Sequence, residues 1–396
     1  MVVWMMATLS ASVLTPGLAQ EVTTVVDDRV QSDVAELPAA APASRRDGWD
    51  LDAVISAAYD SNIFLSPSRP EADLVSELGV SMAYAHGDPD EGEGGFLRFA
   101  YRPTAVLYAD HGSASRIDQQ AALTAAWRGK VTKISYTGLV RQLGGATADT
   151  GRQADRMESE NELRAAWNPR EKITLEAAAG HRRTDYDSPA FFDSNEVYGE
   201  AALRYAYSPK TKLGAAYRAG RFKVDGAEAQ TTHQVTGSIA WQPREKIRLA
   251  LQAGAERRRT ENGSGINPVA EGRLEWTPRE GTSLYLTGYR REEASAFFAG
   301  QNYNLKGATA GISQRLGEKW TARLEGGHES ATYSRVAGAG TSGRKDTIWF
   351  VRPALDYRIT DIMDISLFYR LSENRSTDPA FGYDQRLAGI EINYQF

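Results

Sequence analysis

From Trp49 onward the chain alternates. Apolar and polar residues change places at every second position through segments of roughly 9–11 residues, each ended by a turn or loop. That is the period and length of a tilted strand crossing a membrane. In one segment Ile173, Leu175, Ala177 and Ala179 share a face, with Thr174, Glu176, Ala178, Gly180 and Arg182 opposite. In another, Ile247, Leu249, Leu251, Ala253 and Ala255 stand against Arg248, Gln252, Glu256 and Arg258. The last, Ala388 to Phe396, puts Ala388, Ile390, Ile392, Tyr394 and Phe396 on one side and Gly389, Glu391, Asn393 and Gln395 on the other. Counting such segments from 51–59 to 383–396 predicts about 18 strands. The predicted fold is all-β: a single transmembrane, antiparallel, up-and-down barrel closed by pairing of the last strand with the first.

The connections alternate too. Trp167-Asn-Pro-Arg-Glu-Lys172, Trp241-Gln-Pro-Arg-Glu-Lys246 and Trp276-Thr-Pro-Arg-Glu-Gly281 are near copies, with Tyr207-Ser-Pro-Lys-Thr-Lys212 a fourth. Their prolines at 169, 209, 243 and 278 are spaced by 40, 34 and 35 residues, a hairpin repeat. Proline presets φ and cannot donate to a ladder, so it is expected to end a strand and start a tight turn. The preceding Trp or Tyr suits a membrane interface. Between these short turns lie long Gly-, Asp- and Ser-rich loops, among them 144–156, 185–194, 292–302 and 334–345. Short turns at one rim and long loops at the other is the asymmetry of outer-membrane barrels, and an even strand number puts both termini in the periplasm.

Composition changes the picture little. Hydrophobic residues are 41% and aromatics 10%, and the mean hydropathy is −0.46. The absence of a long apolar run past the N-terminus excludes a helical membrane protein, but a barrel is compatible because its alternation averages away. There is no cysteine, which removes thiol catalysis, disulfides and thiolate metal sites. The net charge of −5 is spread evenly, with no basic run for nucleic acid. Residues 1–19 read as a signal peptide lacking its basic start, 20–48 as a flexible periplasmic lead-in, and 49–396 as the barrel. The five histidines stand apart without metal-ligand spacing, and no nucleophile elbow or phosphate loop occurs, so neither enzyme activity, metal nor cofactor is expected.

The candidate chemistry lies in the lumen. By parity Arg141, Arg182, Arg218, Arg258, Arg291 and Arg370 face inward near the outer mouth, and Glu176, Glu256, Glu271 and Glu325 face inward as well. One reading is a basic collar that draws in anionic solutes or a polyanionic glycan. The other is that these arginines pair with the lumen acids and hold the wall together. Arg183 and Arg257 face outward, where lipopolysaccharide phosphates are to be met.

Two resemblances complete the reading. The terminal Ile392, Tyr394 and Phe396, with the Tyr-x-Phe ending, resemble the signal by which barrel precursors are recognised by the outer-membrane assembly machinery. Ala57-Ala-Tyr-Asp-Ser-Asn-Ile-Phe64, the Trp-x-Pro-Arg-Glu turns and that ending together resemble the beta-barrel porin type 2 family of Gram-negative outer-membrane proteins. The resemblance implies location in that membrane, contact with lipid and lipopolysaccharide, and a part in export or surface assembly of extracellular polysaccharide beside other export components. It transfers no catalytic residue. A general diffusion porin for small solutes, and a structural or adhesive barrel with a plugged pore, remain the alternatives.

Overall fold

The structure, a computed structural model, describes residues 47–87, 93–145, 147, 149–150, 152–261, 263–334 and 343–396. The leader expected over 1–19 and nearly all of the lead-in over 20–48 lie outside these residues. Eighteen strands follow in order: β1 (Asp47–Asp60), β2 (Asp73–His86), β3 (Gly94–Tyr108), β4 (Arg116–Arg128), β5 (Thr132–Leu143), β6 (Arg156–Arg170), β7 (Ile173–Tyr186), β8 (Ser194–Ser208) and β9 (Thr211–Val224) form the first half. The second half is β10 (Gln230–Arg244), β11 (Ile247–Thr260), β12 (Gly263–Arg279), β13 (Thr282–Ala294), β14 (Asn302–Leu316), β15 (Trp320–Tyr333), β16 (Lys345–Thr360), β17 (Met363–Ser376) and β18 (Tyr383–Gln395). Each strand pairs antiparallel with the next, and β1 pairs with β18 from Asp52 opposite Gln395 to Asp60 opposite Leu387. The sheet therefore closes and exposes no edge. The expected barrel and strand number are both found.

The alternation of the sequence becomes an inside and an outside. Ile55, Leu163, Val197, Val235 and Leu367 are each more than half exposed on the outer wall, whereas their chain neighbours Arg164, Tyr198, Thr236 and Phe368 are buried against the lumen. A water-soluble protein would not present such a belt, but hydrocarbon solvates it. Trp127, Trp167, Trp241, Trp276 and Trp320 ring the short-turn rim from outside, as an interface girdle does.

The short turns differ in one detail from expectation. Arg170 pairs with Ile173, Arg244 with Ile247 and Arg279 with Thr282, with register shifts just after Trp167, Trp241 and Trp276. Pro169, Pro243 and Pro278 thus sit in strand-end irregularities, and the turns themselves are Glu171-Lys172, Glu245-Lys246 and Glu280-Gly281. A bulge is where a strand tolerates a residue that cannot donate. Of the four, Pro209 alone lies in the turn proper.

The motif after β1 has a visible purpose at the barrel seam. Asp60 accepts hydrogen bonds from the Asn62 backbone at 2.8 Å and from Gln385 Nε2 at 2.8 Å. Buried Asn62 donates to the carbonyls of Ser66 and Asp384, while the Ser61 backbone N–H donates to the Arg386 carbonyl. Asp-Ser-Asn therefore staples the outer end of the first strand to the last. Beside the seam, His111 in the β3–β4 loop holds the β1–β2 loop by contacts of 2.8 Å to both Asp73 and Glu71.

Candidate functional site

The inner wall is lined by aromatic rings laid flat on glycines. A Cβ at Gly180 would run into the Tyr198 ring, at Gly311 into Tyr285, and at Gly327 into Phe350. Each glycine lets a large ring lie along the wall instead of projecting across the lumen. The tyrosines hand their hydroxyls to carboxylates: Tyr198 donates to Glu162 at 2.8 Å, Tyr285 to Glu325 and Tyr289 to Glu329.

Five of the six collar arginines are held in ion pairs. Arg141 meets Glu158 at 2.7 Å and Glu160 at 3.4 Å, Arg182 meets Glu160 at 3.7 Å and Glu196 at 3.6 Å, and Arg218 meets Glu196 at 2.9 Å. These form one chain of alternating charge across β5 to β9. Arg258 pairs with Glu256 at 2.9 Å and Arg291 with Glu293 at 2.5 Å. Glu176, almost fully buried, is shared by Arg164 at 3.0 Å and Arg204 at 2.6 Å. Glu271 lies on the same inner face, with no ion pair among the described residues. The sixth, Arg370, has its guanidinium 5.0 Å from the Phe350 ring centroid.

The outer mouth is crossed by the loop between β5 and β6. It leaves the wall at Gly144 and Gly145, the latter at φ +106°, which favours glycine. Its base is closed by the Ala154 N–H donating to the Gly145 carbonyl at 3.0 Å and anchored by the Gly144 N–H donating to Asp118 at 2.9 Å. At its tip Asp149 accepts hydrogen bonds from the Ala296 N–H at 2.9 Å, the Ser295 hydroxyl at 3.2 Å, the Tyr333 hydroxyl at 2.9 Å and Arg344 Nη2 at 3.3 Å. Those partners belong to the β13–β14 loop, the end of β15 and the residue just before β16. The path from β6 to β13, or from β5 through β1 and β18 to β16, is seven strand steps either way, so the loop reaches the opposite wall. It is a strap across the mouth.

A second contact fixes it. Arg152 lies over Phe191 at 5.1 Å and Phe297 at 5.3 Å, and Phe297 packs on Phe298 at 4.7 Å and Phe381 at 5.7 Å. Arg344 covers Phe381 at 3.7 Å and Tyr333 at 3.9 Å. Three loops thus meet the strap through an aromatic cluster, and the Phe192 N–H donates to the Ala296 carbonyl at 2.8 Å between two of them. None of Asp149, Arg152, Phe191, Phe297 or Arg344 is singled out by alternation. Their trace in the sequence is the recurrence of Ala190-Phe-Phe192, Ala296-Phe-Phe298 and Ala380-Phe381 in otherwise polar loops.

Beside the base of the strap is a cavity of about 110 Å³, lined from β1 to β6, β17 and β18. Arg116, Arg156 and Arg370 line it together with Asp60, Glu77, Asp118 and Glu391. Both signs are present, and Arg116 with Asp118 at 3.1 Å and Arg156 with Glu158 at 2.7 Å show that much of the charge is locally balanced.

A closed, strapped barrel with an apolar exterior, short turns at one rim and long loops at the other is an outer-membrane protein of a Gram-negative bacterium. No protein-family model matches the chain, the porin type 2 family included, and no curated protein matches it either. Among solved structures it is similar to Pseudomonas aeruginosa OpdQ, at 12% identity over 88% of this chain and 98% of that one, with a TM-score of 0.48. It is similar to Acinetobacter baumannii OccAB3 at 10% identity, 88% and 99% coverage and a TM-score of 0.48. The Pseudomonas aeruginosa siderophore receptor PirA matches at 9% identity, 89% and 81% coverage and a TM-score of 0.43. Likenesses this distant assign neither family nor cargo.

Proposed function

We propose that the protein is a narrow-bore, non-enzymatic porin that passes small polar solutes through the passage beside the strap. The observation that carries this reading is the docking of Asp149 on the opposite wall, which lays the strap over a mouth that the strands alone would leave open. A lumen lined by both signs suits small neutral or zwitterionic solutes better than a polyanion, because no surplus of one charge extends along it. Passage of an extended polysaccharide, the export role implied by the family resemblance, would first require the strap to leave its four partners. The small-solute alternative is therefore the better supported.

Reconstitution in planar bilayers tests it. The unaltered protein should give small, steady conductance steps. A variant joining Gly145 to Ala154 through an Asn-Gly turn should give steps several-fold larger. Silence from the unaltered protein, with current only from the strapless variant, would indicate a plugged structural barrel and overturn the proposal.

A further inference from the structure

The outer wall carries a basic feature that the lumen does not explain. Counting along each strand from its short-turn end, Ile173 to Arg183, Thr211 to Arg221, Ile247 to Arg257 and Leu316 to Lys306 are each ten positions. Ten residues at ~3.3 Å, tilted by ~40°, rise about 25 Å, the height of the apolar band. All four side chains point outward, so they stand at one level, the outer boundary of the hydrocarbon, where lipid phosphates lie. On the opposite wall the outer ends of β1 to β4 present Tyr59, Leu74, Leu107 and Ile117 instead.

Part of this belt is concave. Arg183, Asn195 and Lys223 are cross-strand neighbours in a single row over β7, β8 and β9, and Val197 with Arg221 forms the row beneath. They line an outward-facing cleft of about 350 Å³, with exposed Val197 on the membrane side. Neighbouring strands are ~4.8 Å apart, so Arg183 and Lys223 flank Asn195 at roughly 10 Å, a span that a phosphate with its sugar bridges. Arg183 is paired with Asp185 at 2.7 Å. Arg221 and Lys223 have no ion pair among the described residues, and Arg259 extends the row beneath through Thr231. The carboxylates of Asp185, Asp193 and Asp225 lie two positions further out along the strands, Asp185 on Arg183, Asp193 accepting from the Tyr186 N–H at 2.7 Å, and Asp225 exposed to water. The cations border the low-dielectric band, where their attraction for an anion is stronger.

We propose that this cleft binds a phosphate of the phosphorylated disaccharide lipid of the outer leaflet. The sugar phosphate sits between Arg183, Arg221 and Lys223, and the acyl chains lie along Val197 and the apolar wall below. The arginines supply paired donors to phosphate oxygens, and the lysine adds a point charge.

The test is lipid binding by the full-length, folded barrel in mild detergent, followed by native mass spectrometry with bisphosphorylated lipid A. A cation near the membrane surface contributes about five-fold in affinity, so Arg183→Gln, Arg221→Gln and Lys223→Gln together should weaken binding on the order of a hundred-fold. Arg221→Lys with Lys223→Arg, which keeps the charge, should restore most of it and guards against a folding defect. Lipid A stripped of phosphate should bind poorly, and millimolar inorganic phosphate should not compete. Competition by inorganic phosphate would assign the cleft to a free anion. Equal loss from Arg257→Gln and Lys306→Gln, both outside the cleft, would show a diffuse belt with no site. Full binding by the triple variant would likewise overturn the proposal.

Discussion

Removal of the Asp149 carboxylate should open the mouth. In Asp149→Ala the strap loses acceptors for the Ala296 N–H, the Ser295 and Tyr333 hydroxyls and Arg344. A neutral hydrogen bond is worth ~1 kcal/mol net and one to a charged group ~1.5–3, but Arg344 keeps Asp346 at 2.9 Å and the hydroxyls gain water. Taking about 3 kcal/mol for the set, the docked-to-free ratio of the strap falls by about a hundred-fold. Asp149→Asn retains one carbonyl acceptor, so its effect should be intermediate. Single-channel recording reads this directly: the alanine variant should visit wider conductance levels, while the asparagine variant visits them less often. The Arg152 contact with Phe191 and Phe297 remains in both, so Arg152→Ala added to Asp149→Ala should lengthen the wide states. Identical conductance and gating in the unaltered protein and the double variant would refute docking as the cause of the narrow bore.

Other outcomes follow from the same geometry. Deleting Phe396, whose N–H donates to the Leu51 carbonyl at 2.9 Å and whose ring packs 4.6 Å from Tyr394, should lower the yield of membrane-inserted barrel, read by heat-modifiable gel mobility; normal insertion would remove its role as an assembly signal. Gly180→Ala should push Tyr198 off the wall and its hydroxyl away from Glu162, costing ~1–3 kcal/mol of overpacking, and Tyr198→Ala in the same chain should recover most of it in thermal unfolding. Hydrogen bonding to Asp73, and then to Glu71, holds the His111 pKa above 6.5. Its tie between the two loops is therefore strongest at acid pH and weakens as pH rises through that raised value. The stability difference between the unaltered protein and His111→Gln should shrink from pH 5 to pH 8. Glutamine at Arg141, Arg182 and Arg218 together with glutamine at Glu158, Glu160 and Glu196 removes equal charge of each sign and should leave cation-to-anion selectivity nearly unchanged in reversal-potential measurements, whereas the three arginine changes alone unmask those carboxylates and should shift it toward cations.

The wall was legible because its two solvents impose a period of two. Leu175 beside Glu176, and Leu251 beside Gln252, can satisfy lipid and lumen only as a strand, so all eighteen strands could be counted from polarity alone. Strand ends were less legible. Trp167-Asn-Pro reads as the start of a turn, but the ladder continues to Arg170 because a bulge accommodates the proline. The strap was illegible for a different reason. A Gly- and Thr-rich loop such as 144–156 has no period, and its fate is set by Asp149 meeting residues 146 to 195 positions away. Only the Ala-Phe-Phe pairs hinted that those loops needed cover, since exposed phenylalanines in polar loops would otherwise stay in water.

The arginines show why parity yields direction but not function. Inward placement of Arg141, Arg182 and Arg218 follows from the cost of ~2–4 kcal/mol for an arginine facing mid-membrane lipid, and that cost is met equally by a collar or by a paired wall. What separates the two is the spacing of Glu158, Glu160 and Glu196 on the neighbouring strands, which depends on register. Once register is known, each guanidinium lies against at least one carboxylate, and the field that a collar would cast into the lumen is cancelled within a few ångströms. A wall so neutralised cannot select strongly by charge. In the proposed porin, selection would then fall to bore, and the contacts that would set it are those that dock the strap: Asp149 at its tip, Arg152, and the phenylalanines of three loops.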